Sequence, residues 1–388
     1  MISKIVFFRY IPLTELISDG HFMDWLLKKG ITVEYLDFSK LFFPNYNFKD
    51  KIIKDFVVEI NTYSDFRAYL KNQNKKTTLF ISIVTFEWRV YRIFRILTQY
   101  NCKLGVFARG MIPAIEANNI SKIKRVLTRL SIKNIMAILK SKAMYFVKKQ
   151  GWIKPYDIIY LTGKSALPTI GVGFQFDADN ADIIDVNTAD YDTFLNPDSN
   201  YIAPVATNYA VFLDENLTSH PDQTLCDLIP IRSEDYYPEL NAFFDRLESD
   251  FKIKIIIAAH PKALNYKVSN PYNREIYFNQ TNDLVSNSNF VITHDSTSIG
   301  YAVLHLKPIL SITSEKFKKI LPENQAYTLS FSKFLNTSLL HYDTDRATKK
   351  DIKIDIDKYS SYKYAFLTNK SSEDKLTRDI FIKSLVSI

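Results

Sequence analysis

Two stretches of the chain combine residue types that can hold a phosphate and absorb the charge of a departing phosphate. The first is Ile255-Ile256-Ile257-Ala258-Ala259-His260-Pro261-Lys262, an apolar run ending in His-Pro-Lys. The second is Phe290-Val291-Ile292-Thr293-His294-Asp295-Ser296-Thr297-Ser298-Ile299-Gly300, an apolar run that passes through hydroxyl residues into a helical pattern. In an open α/β sheet, ligands bind beyond the carboxyl ends of the strands, so His260 and Lys262 should point into that crevice. Pro261 fixes φ and lacks an N–H, which stiffens the turn presenting His260. Ser296, Thr297 and Ser298 fall at the start of the predicted helix. Free backbone N–H groups, the positive end of the helix dipole and three hydroxyls make a phosphate cradle there. Taken alone, a hydroxyl cluster before a helix is usually an N-cap, and a histidine at a strand end is often structural. Their joint occurrence, one βα unit apart at the same sheet edge, is what points to a site. Gly300 would let its helix approach the strand closely.

Acid–base work needs carboxylates within reach. Asp214-Glu215-Asn216 follows the apolar run Tyr209–Leu213, and both acids are catalytic candidates. The alternative is a simple turn after a strand, where Asp and Asn are common. In the first half of the chain, Asp19 and Glu87 are further catalytic candidates, with His21 beside Asp19 at an expected helix start. Arg9, Asp37 and Arg109 are other strand-end residues there, each open to a structural role. His220-Pro221 repeats the His-Pro pair but follows a loop. Asp177-Ala178-Asp179 and Asp343-Thr344-Asp345 match a DxD spacing but read as loop acids, so no metal is expected. There are 9 glycines. None forms a GxxxxGK[ST] loop, and Gly171-Val172-Gly173 lacks a third glycine, which argues against a P-loop or dinucleotide fingerprint.

The elements that must position these residues alternate along the chain. Apolar strand runs are predicted at 5–8, 32–36, 78–84, Lys103–Ala108 and 157–162, with another within 171–184. Helices are predicted at 19–29, with Gly30 as C-cap, and at 90–99. The polar segment 185–200, with its Asn196-Pro197 turn signal, reads as a linker or its approach. A second series follows: strands Tyr209–Leu213, 253–259, 290–293 and 308–312, with helices 235–251, 282–287 and 297–306. The end of the chain is charged and aromatic and closes in an amphipathic helix at 373–386. Nearly continuous apolar strands alternating with helices argue for parallel, doubly wound sheets. The expected fold is α/β, two Rossmann-like domains facing each other across a cleft. The first domain would span 1–195, the second 196–345, and a tail with its helix 346–388.

The formal net charge is +8, from 50 basic and 42 acidic residues. No acidic residue lies between Glu116 and Asp157, whereas Lys122, Lys124, Arg125, Arg129, Lys140, Lys142, Lys148 and Lys149 do, among apolar residues. This basic amphipathic segment, 117–155, suits an anionic membrane surface. Its alternative is a helix with a solvated basic face. No readout motif accompanies it, so no nucleic-acid partner is expected. No stretch approaches the roughly 20 apolar residues of a membrane span. The apolar run after Met1 is cut short by Arg9 and reads as a buried strand, not a signal segment. The two cysteines, Cys102 and Cys226, show no metal or CxxC spacing and fit unpaired thiols in a reducing compartment. A cytoplasmic protein, peripheral on the inner face of the membrane, is the expectation.

The HP…HxSTS pair resembles the donor-binding motifs of bacterial sialyltransferase-like and polysialyltransferase-like enzymes. It also resembles related GT-B capsule enzymes, including Kdo transferases and the glycerol-phosphate polymerases of teichoic acid synthesis. The resemblance covers residues 211–312. In those families the HP histidine contacts the nucleotide phosphate, and the Ser/Thr pair binds phosphate or ribose. Carried over, that implies His260, Ser296, Thr297 and Ser298. The sialyltransferases also have an acidic-acidic-Gly motif supplying the base from the first domain. Here Asp214-Glu215 is followed by Asn216 and opens the second series, which leaves the base unassigned. Carried by residues of the second domain, the resemblance implies nucleotide-sugar binding there and acceptor binding in the first domain. It implies an inverting, metal-independent glycosyltransferase of capsule or lipopolysaccharide synthesis. Its donor would be a nucleotide-sugar, CMP-activated in the sialyltransferase case, and its acceptor a surface glycan or lipid-linked. No cofactor is implied, since the nucleotide-sugar is the donor substrate. A CDP-polyol phosphotransferase of the same fold and a non-catalytic nucleotide-sugar or glycan-binding accessory protein are the alternatives.

Overall fold

The computed structural model describes residues 1–48, 50–113, 132–197, 207–219 and 230–387. The first part of the basic segment (with Lys122, Lys124, Arg125 and Arg129), the end of the polar segment, His220-Pro221 and Cys226 lie outside the described residues.

The chain divides into two compact units. The first takes the described residues up to Met111, those from 132 to Ala189, and Thr368 onward. The second runs from Asp190 to Leu367. The tail is therefore shared, its first part in the second unit and its closing helix in the first.

The first unit is built on a seven-stranded sheet of order β3-β2-β1-β4-β5-β6-β7. Its strands are β1 (Lys4–Arg9), β2 (Thr32–Asp37), β3 (Val57–Glu59), β4 (Thr78–Ser82), β5 (Lys103–Ala108), β6 (Ile158–Thr162) and β7 (Asp182–Val186). Every pairing is parallel. Side chains alternate between faces along each strand. Val6, Phe8 and Phe80 enter one buried cluster, while Ile5, Phe7, Leu79 and Ile81 enter the other. Both faces are thus covered, which is why the strands read as unbroken apolar runs. Phe381 and Leu385 of the final helix, Thr377–Ser387, join the second cluster, and Ile2 N–H donates to the Leu385 carbonyl at 2.9 Å.

The second unit holds a six-stranded parallel sheet of order β10-β9-β8-β11-β12-β13. The strands are β8 (Tyr209–Leu213), β9 (Lys254–Ala259), β10 (Ile276–Phe278), β11 (Val291–Thr293), β12 (Ile309–Thr313) and β13 (Ser338–His341). Helix Ser233–Phe251 covers one face with Tyr236, Leu240, Phe243, Phe244 and Leu247 buried. Strand order reverses at β8, which lies between β9 and β11. Such a switch point opens a crevice beyond the strands' carboxyl ends.

Some local expectations change. The helix expected at 19–29 is two short helices, Glu15–Gly20 and Met23–Lys28. Thr14 starts the first one early by accepting the Ile17 N–H on its side chain, and Phe22, at φ 47°, breaks the path. Asp19 consequently sits in the last turn of a helix and not at a helix start. Within 171–184 the chain forms helix Phe174–Ala178 before β7 begins. Segment 185–200 is not simply a linker, because it contains the end of β7 and helix Ala189–Leu195. The helix expected at 297–306 is Ile299–Leu304. Among the described residues no helix is long and apolar enough to cross a membrane.

Candidate functional site

The second unit brings together the residues that follow β8, β9 and β11, three adjacent strands. Asp214 and Glu215 end β8, His260 and Lys262 end β9, and Asp295 to Ser298 follow β11. The candidate phosphate ligands thus share one sheet edge at the switch point.

Asp214 is buried and fully engaged. Its Oδ1 accepts from the Tyr272 hydroxyl at 2.6 Å, the Tyr266 hydroxyl at 3.1 Å and the Asn216 N–H at 3.1 Å, and its Oδ2 accepts from the His260 N–H at 3.2 Å. Burial raises its pKa, and the bonds from Tyr272, His260, Asn216 and Tyr266 pull it back. With its lone pairs committed to four donors, Asp214 ties the end of β8 to the turn after β9.

That turn places His260. The His260 carbonyl accepts the Ala263 N–H at 2.9 Å, with Pro261 at the position where a fixed φ favours a tight turn. His260 Nδ1 accepts the Lys262 N–H at 3.1 Å. A neutral His260 therefore carries its proton on Nε2, as a donor. His260 and Lys262 are both half-buried.

The 296–298 segment is a turn leading into the helix. Ser296 N–H donates to Thr293 Oγ1 at 3.4 Å, and the carbonyls of Ser296, Thr297 and Ser298 accept from Ile299, Gly300 and Tyr301. Ser298 precedes the helix but makes no side-chain cap. The three hydroxyls and the N–H groups of Thr297 and Ser298 have no protein partner among the described residues. They are available to an anion instead of being spent on capping. A Cβ on Gly300 would come within 3.1 Å of Leu367 Cδ2, so the glycine serves close packing of its helix against Leu367.

Glu215 and Asp295 form a carboxyl pair that motif reading did not single out. Glu215 Oε1 accepts the Asp295 N–H at 3.0 Å and the Thr293 hydroxyl at 3.5 Å. Asp295 Oδ2 accepts from Asn324 Nδ2 at 2.9 Å. Burial, then the charge and hydrogen bond of Asp295, push Glu215 well above the carboxylate range. Burial pushes Asp295 up to about 6. A signal was present in the sequence, an acid set among hydroxyls, but its partner depends on β8 and β11 being neighbours.

His294, next to this loop, is structural. Its Nδ1 donates to the Ile312 carbonyl at 2.8 Å, its Nε2 accepts the Tyr236 hydroxyl at 2.9 Å, and it stacks on Phe317. Burial lowers its pKa to about 4, so it is neutral.

In the first unit, His21 is buried with both ring nitrogens used. Nδ1 donates to the Ile17 carbonyl at 2.9 Å, and Nε2 accepts from Arg109 Nη2 at 2.7 Å. Burial and then the Arg109 charge hold it well below the usual histidine range. Asp37 accepts the Ser39 N–H at 2.7 Å and shapes a turn. Arg9 and Arg109 lie at the carboxyl ends of β1 and β5, both near enough to His21 to act on its charge. Asp19 and Glu87 are exposed; Glu87 lies 3.7 Å from Arg89 Nε, and burial raises the Asp19 pKa, with Glu15 and Asp24 adding to it.

One acid of each DxD triplet serves the local structure. Asp177 forms a buried pair with Lys148 at 2.5 Å, and Asp345 accepts the His341 N–H at 2.7 Å. Among the described residues no group of at least 3 His, Cys, Asp or Glu side chains gathers as a metal site requires.

No family model matches the chain, and no curated protein matches it. Solved structures do. The wall teichoic acid polymerase TagF is 11% identical with a TM-score of 0.50, the match covering 99% of this chain and 89% of that one. The glycotransferase of kitacinnamycin is 10% identical with a TM-score of 0.50, covering 99% of each chain. At these identities the likeness shows the fold alone: two Rossmann-like α/β domains, the GT-B fold.

Proposed function

We propose that this protein is a GT-B glycosyltransferase whose second unit binds the phosphate of a nucleotide-sugar donor. The observation that carries the reading is the unpartnered donor set at 296–298, one strand away from the end of β8 and two from His260. As the glycosidic bond to the donor breaks, the leaving phosphate gains charge. His260 Nε2–H, Lys262, the N–H groups of Thr297 and Ser298 and the hydroxyls are donors fixed before the reaction, and stabilisation of this kind needs no reorganisation. The assignment uses no metal and no cofactor. Asp214 is read as the group that holds the His260 turn. Asp19 and Glu87, two of the exposed carboxylates of the first unit, are kept as candidates for deprotonating the acceptor in an inverting displacement. A CMP-activated sugar is one donor within this reading, and a surface glycan or lipid-linked saccharide is the acceptor class.

A second reading uses the same cradle. Transfer of a polyol phosphate from a CDP-linked donor places the same charge at the same edge, and fold similarity to a wall teichoic acid polymerase favours keeping it.

We assign the described part of the basic segment to an anionic membrane surface. Helix Ile132–Lys149 exposes Met136, Ile138, Leu139 and Phe146 beside Lys140, Lys142 and Lys149. Apolar side chains flanked by lysines fit an interfacial helix at acidic lipid.

Incubating the purified chain with a panel of nucleotide-sugars and CDP-polyols, read by mass spectrometry, tests the proposal. Release of a nucleoside phosphate with transfer or hydrolysis of a sugar supports the first reading, and turnover of CDP-polyol alone supports the second. Binding with no turnover of any donor makes the protein an accessory.

A further inference from the structure

The acids beside the cradle pose a physical problem. Glu215 Oε2 and Asp295 Oδ1 are both buried from solvent and have no hydrogen-bonding partner among the described residues. Glu215 Oε1 accepts the Asp295 N–H at 3.0 Å, which makes the two acidic side chains neighbours, and the Asp295 charge acts on Glu215. Two ionised carboxylates cannot stay in contact away from water, because mutual repulsion adds to desolvation. A single proton between them removes one charge and gives each orphaned oxygen its partner.

The pair also controls the loop that carries the free donors. Glu215 Oε1 receives the Asp295 N–H, and Thr293, which Glu215 also bonds, receives the Ser296 N–H. Asn324 from helix Pro322–Leu335 fixes the other Asp295 oxygen. Movement of Glu215 would therefore move the backbone just ahead of the cradle.

We propose that Glu215 and Asp295 hold one proton between them, and that this shared proton positions the 296–298 donors for a phosphate. Both are positioning residues that act through the loop. The proposal rests on the phosphate reading of that loop. Glu215 carries the proton, since burial and then the Asp295 charge raise its affinity for it. Among the described residues, the other ionisable groups facing the pair do not supply a compensating cation. Asp214 on the end of β8 adds to the repulsion, and Tyr236 of helix Ser233–Phe251 is held neutral by burial. Loss of the proton as pH rises sets two anions against each other and against an incoming phosphate, so the loop loosens and phosphate binding weakens together.

Hydrogen exchange of the ligand-free full chain, read over peptides spanning 290–300 and corrected for intrinsic exchange, tests this independently of any nucleotide. The loop's protection in the wild type should fall by up to about tenfold per pH unit above the pKa of the shared proton. Glu215→Gln keeps an N–H facing Asp295 and should hold that protection constant with pH. Glu215→Ala should be poorly protected at every pH, while peptides from β9 stay protected in all three proteins. Titration with UDP and CDP should show affinity falling over the same interval in the wild type and staying level in Glu215→Gln. A wild-type loop with pH-independent protection overturns the proposal, as does Glu215→Gln behaving like Glu215→Ala. Restoration of high-pH protection by added magnesium or calcium also overturns it, because the pair would then be a cation site. If neither nucleotide binds at any pH while the exchange pattern holds, the phosphate reading fails and the shared proton stands.

Discussion

The carboxylate of Asp214 accepts the backbone N–H of His260 at 3.2 Å, so the end of one central strand fixes the turn at the end of its neighbour. The same carboxylate holds the hydroxyls of Tyr266 and Tyr272. Asp214→Ala leaves the Tyr272 phenol and two N–H groups short of an acceptor in a buried setting, while the Tyr266 hydroxyl keeps that of Tyr237 at 3.1 Å. It should cost about 3 kcal/mol, since each unpaired buried donor carries a penalty of about 1–3 kcal/mol and the site can relax in part. Urea unfolding checks this. A loss below about 1 kcal/mol would mean that water replaces the carboxylate and that Asp214 does not organise the turn.

His260 sits on that turn at a half-buried position. His260→Ala removes the acceptor of the Lys262 N–H, a bond local to the turn, so the thermal midpoint should move little. Loss of a donor to a charged phosphate should weaken UDP or CDP binding by about 2 kcal/mol, roughly 30-fold. Calorimetric titration measures it. Unchanged affinity would remove His260 from the phosphate site.

His294 gives the fold an acid limb. Its folded pKa of about 4 lies below the ordinary value, so the folded state disfavours its charged form. The sign follows: stability is complete above an unfolded pKa of about 6.5 and is lost as pH falls toward 4, by roughly 3 kcal/mol. Denaturant midpoints measured from pH 7 to pH 4 should show this slope. His294→Gln can bond the Tyr236 hydroxyl and the Ile312 carbonyl without titrating, and should flatten it.

Much of this site could be read before its geometry was known, and the reason is the sheet. Strands β1, β4, β8, β9, β11 and β12 are buried on both faces, so they appear as apolar runs, and the ends of β9 and β11 locate His260 and Ser296. Strands β3, β10 and β13 are only 3 or 4 residues long and half-buried, and leave no such trace. Pairings across the sheet were also illegible. Asp295 meets Glu215 because β11 lies beside β8, and Asp177 meets Lys148 across 29 positions. Spacing along a chain carries neither fact. The helix break at Phe22 was hidden for a local reason, since an apolar residue at positive φ gives no composition signal.

The Lys148–Asp177 pair joins the end of the basic helix to the first unit. Both side chains are almost wholly buried, at 2% and 0% exposure, and Lys148 also lies 4.4 Å from the centre of the Phe86 ring. Lys148→Met removes one charge and strands the other, which should cost about 3–5 kcal/mol. Adding Asp177→Leu should recover most of that loss, because a pair of apolar side chains of similar volume needs no desolvation. Chemical unfolding of the single and double variants decides it; a double variant no better than Lys148→Met would show that the pair does more than neutralise itself.

With Lys148 anchoring one end of that helix, the side chains further along it are free to meet a surface. Leu139 and Phe146 are 54% and 60% exposed, on a helix whose described charges are all basic. Burying such side chains in the headgroup boundary contributes about 1.5–3 kcal/mol each, and each lysine near acidic lipid about 1 kcal/mol. Phe146→Glu removes the first contribution and opposes the second, so it should lower partitioning onto phosphatidylglycerol vesicles by at least about tenfold. Co-sedimentation with phosphatidylglycerol and with phosphatidylcholine vesicles measures both parts. Binding to the acidic vesicles alone, weakened by salt and by Phe146→Glu, supports a lipid-facing helix. Equal binding of wild type and variant would assign the exposed face to solvent, and the basic charge to no membrane role.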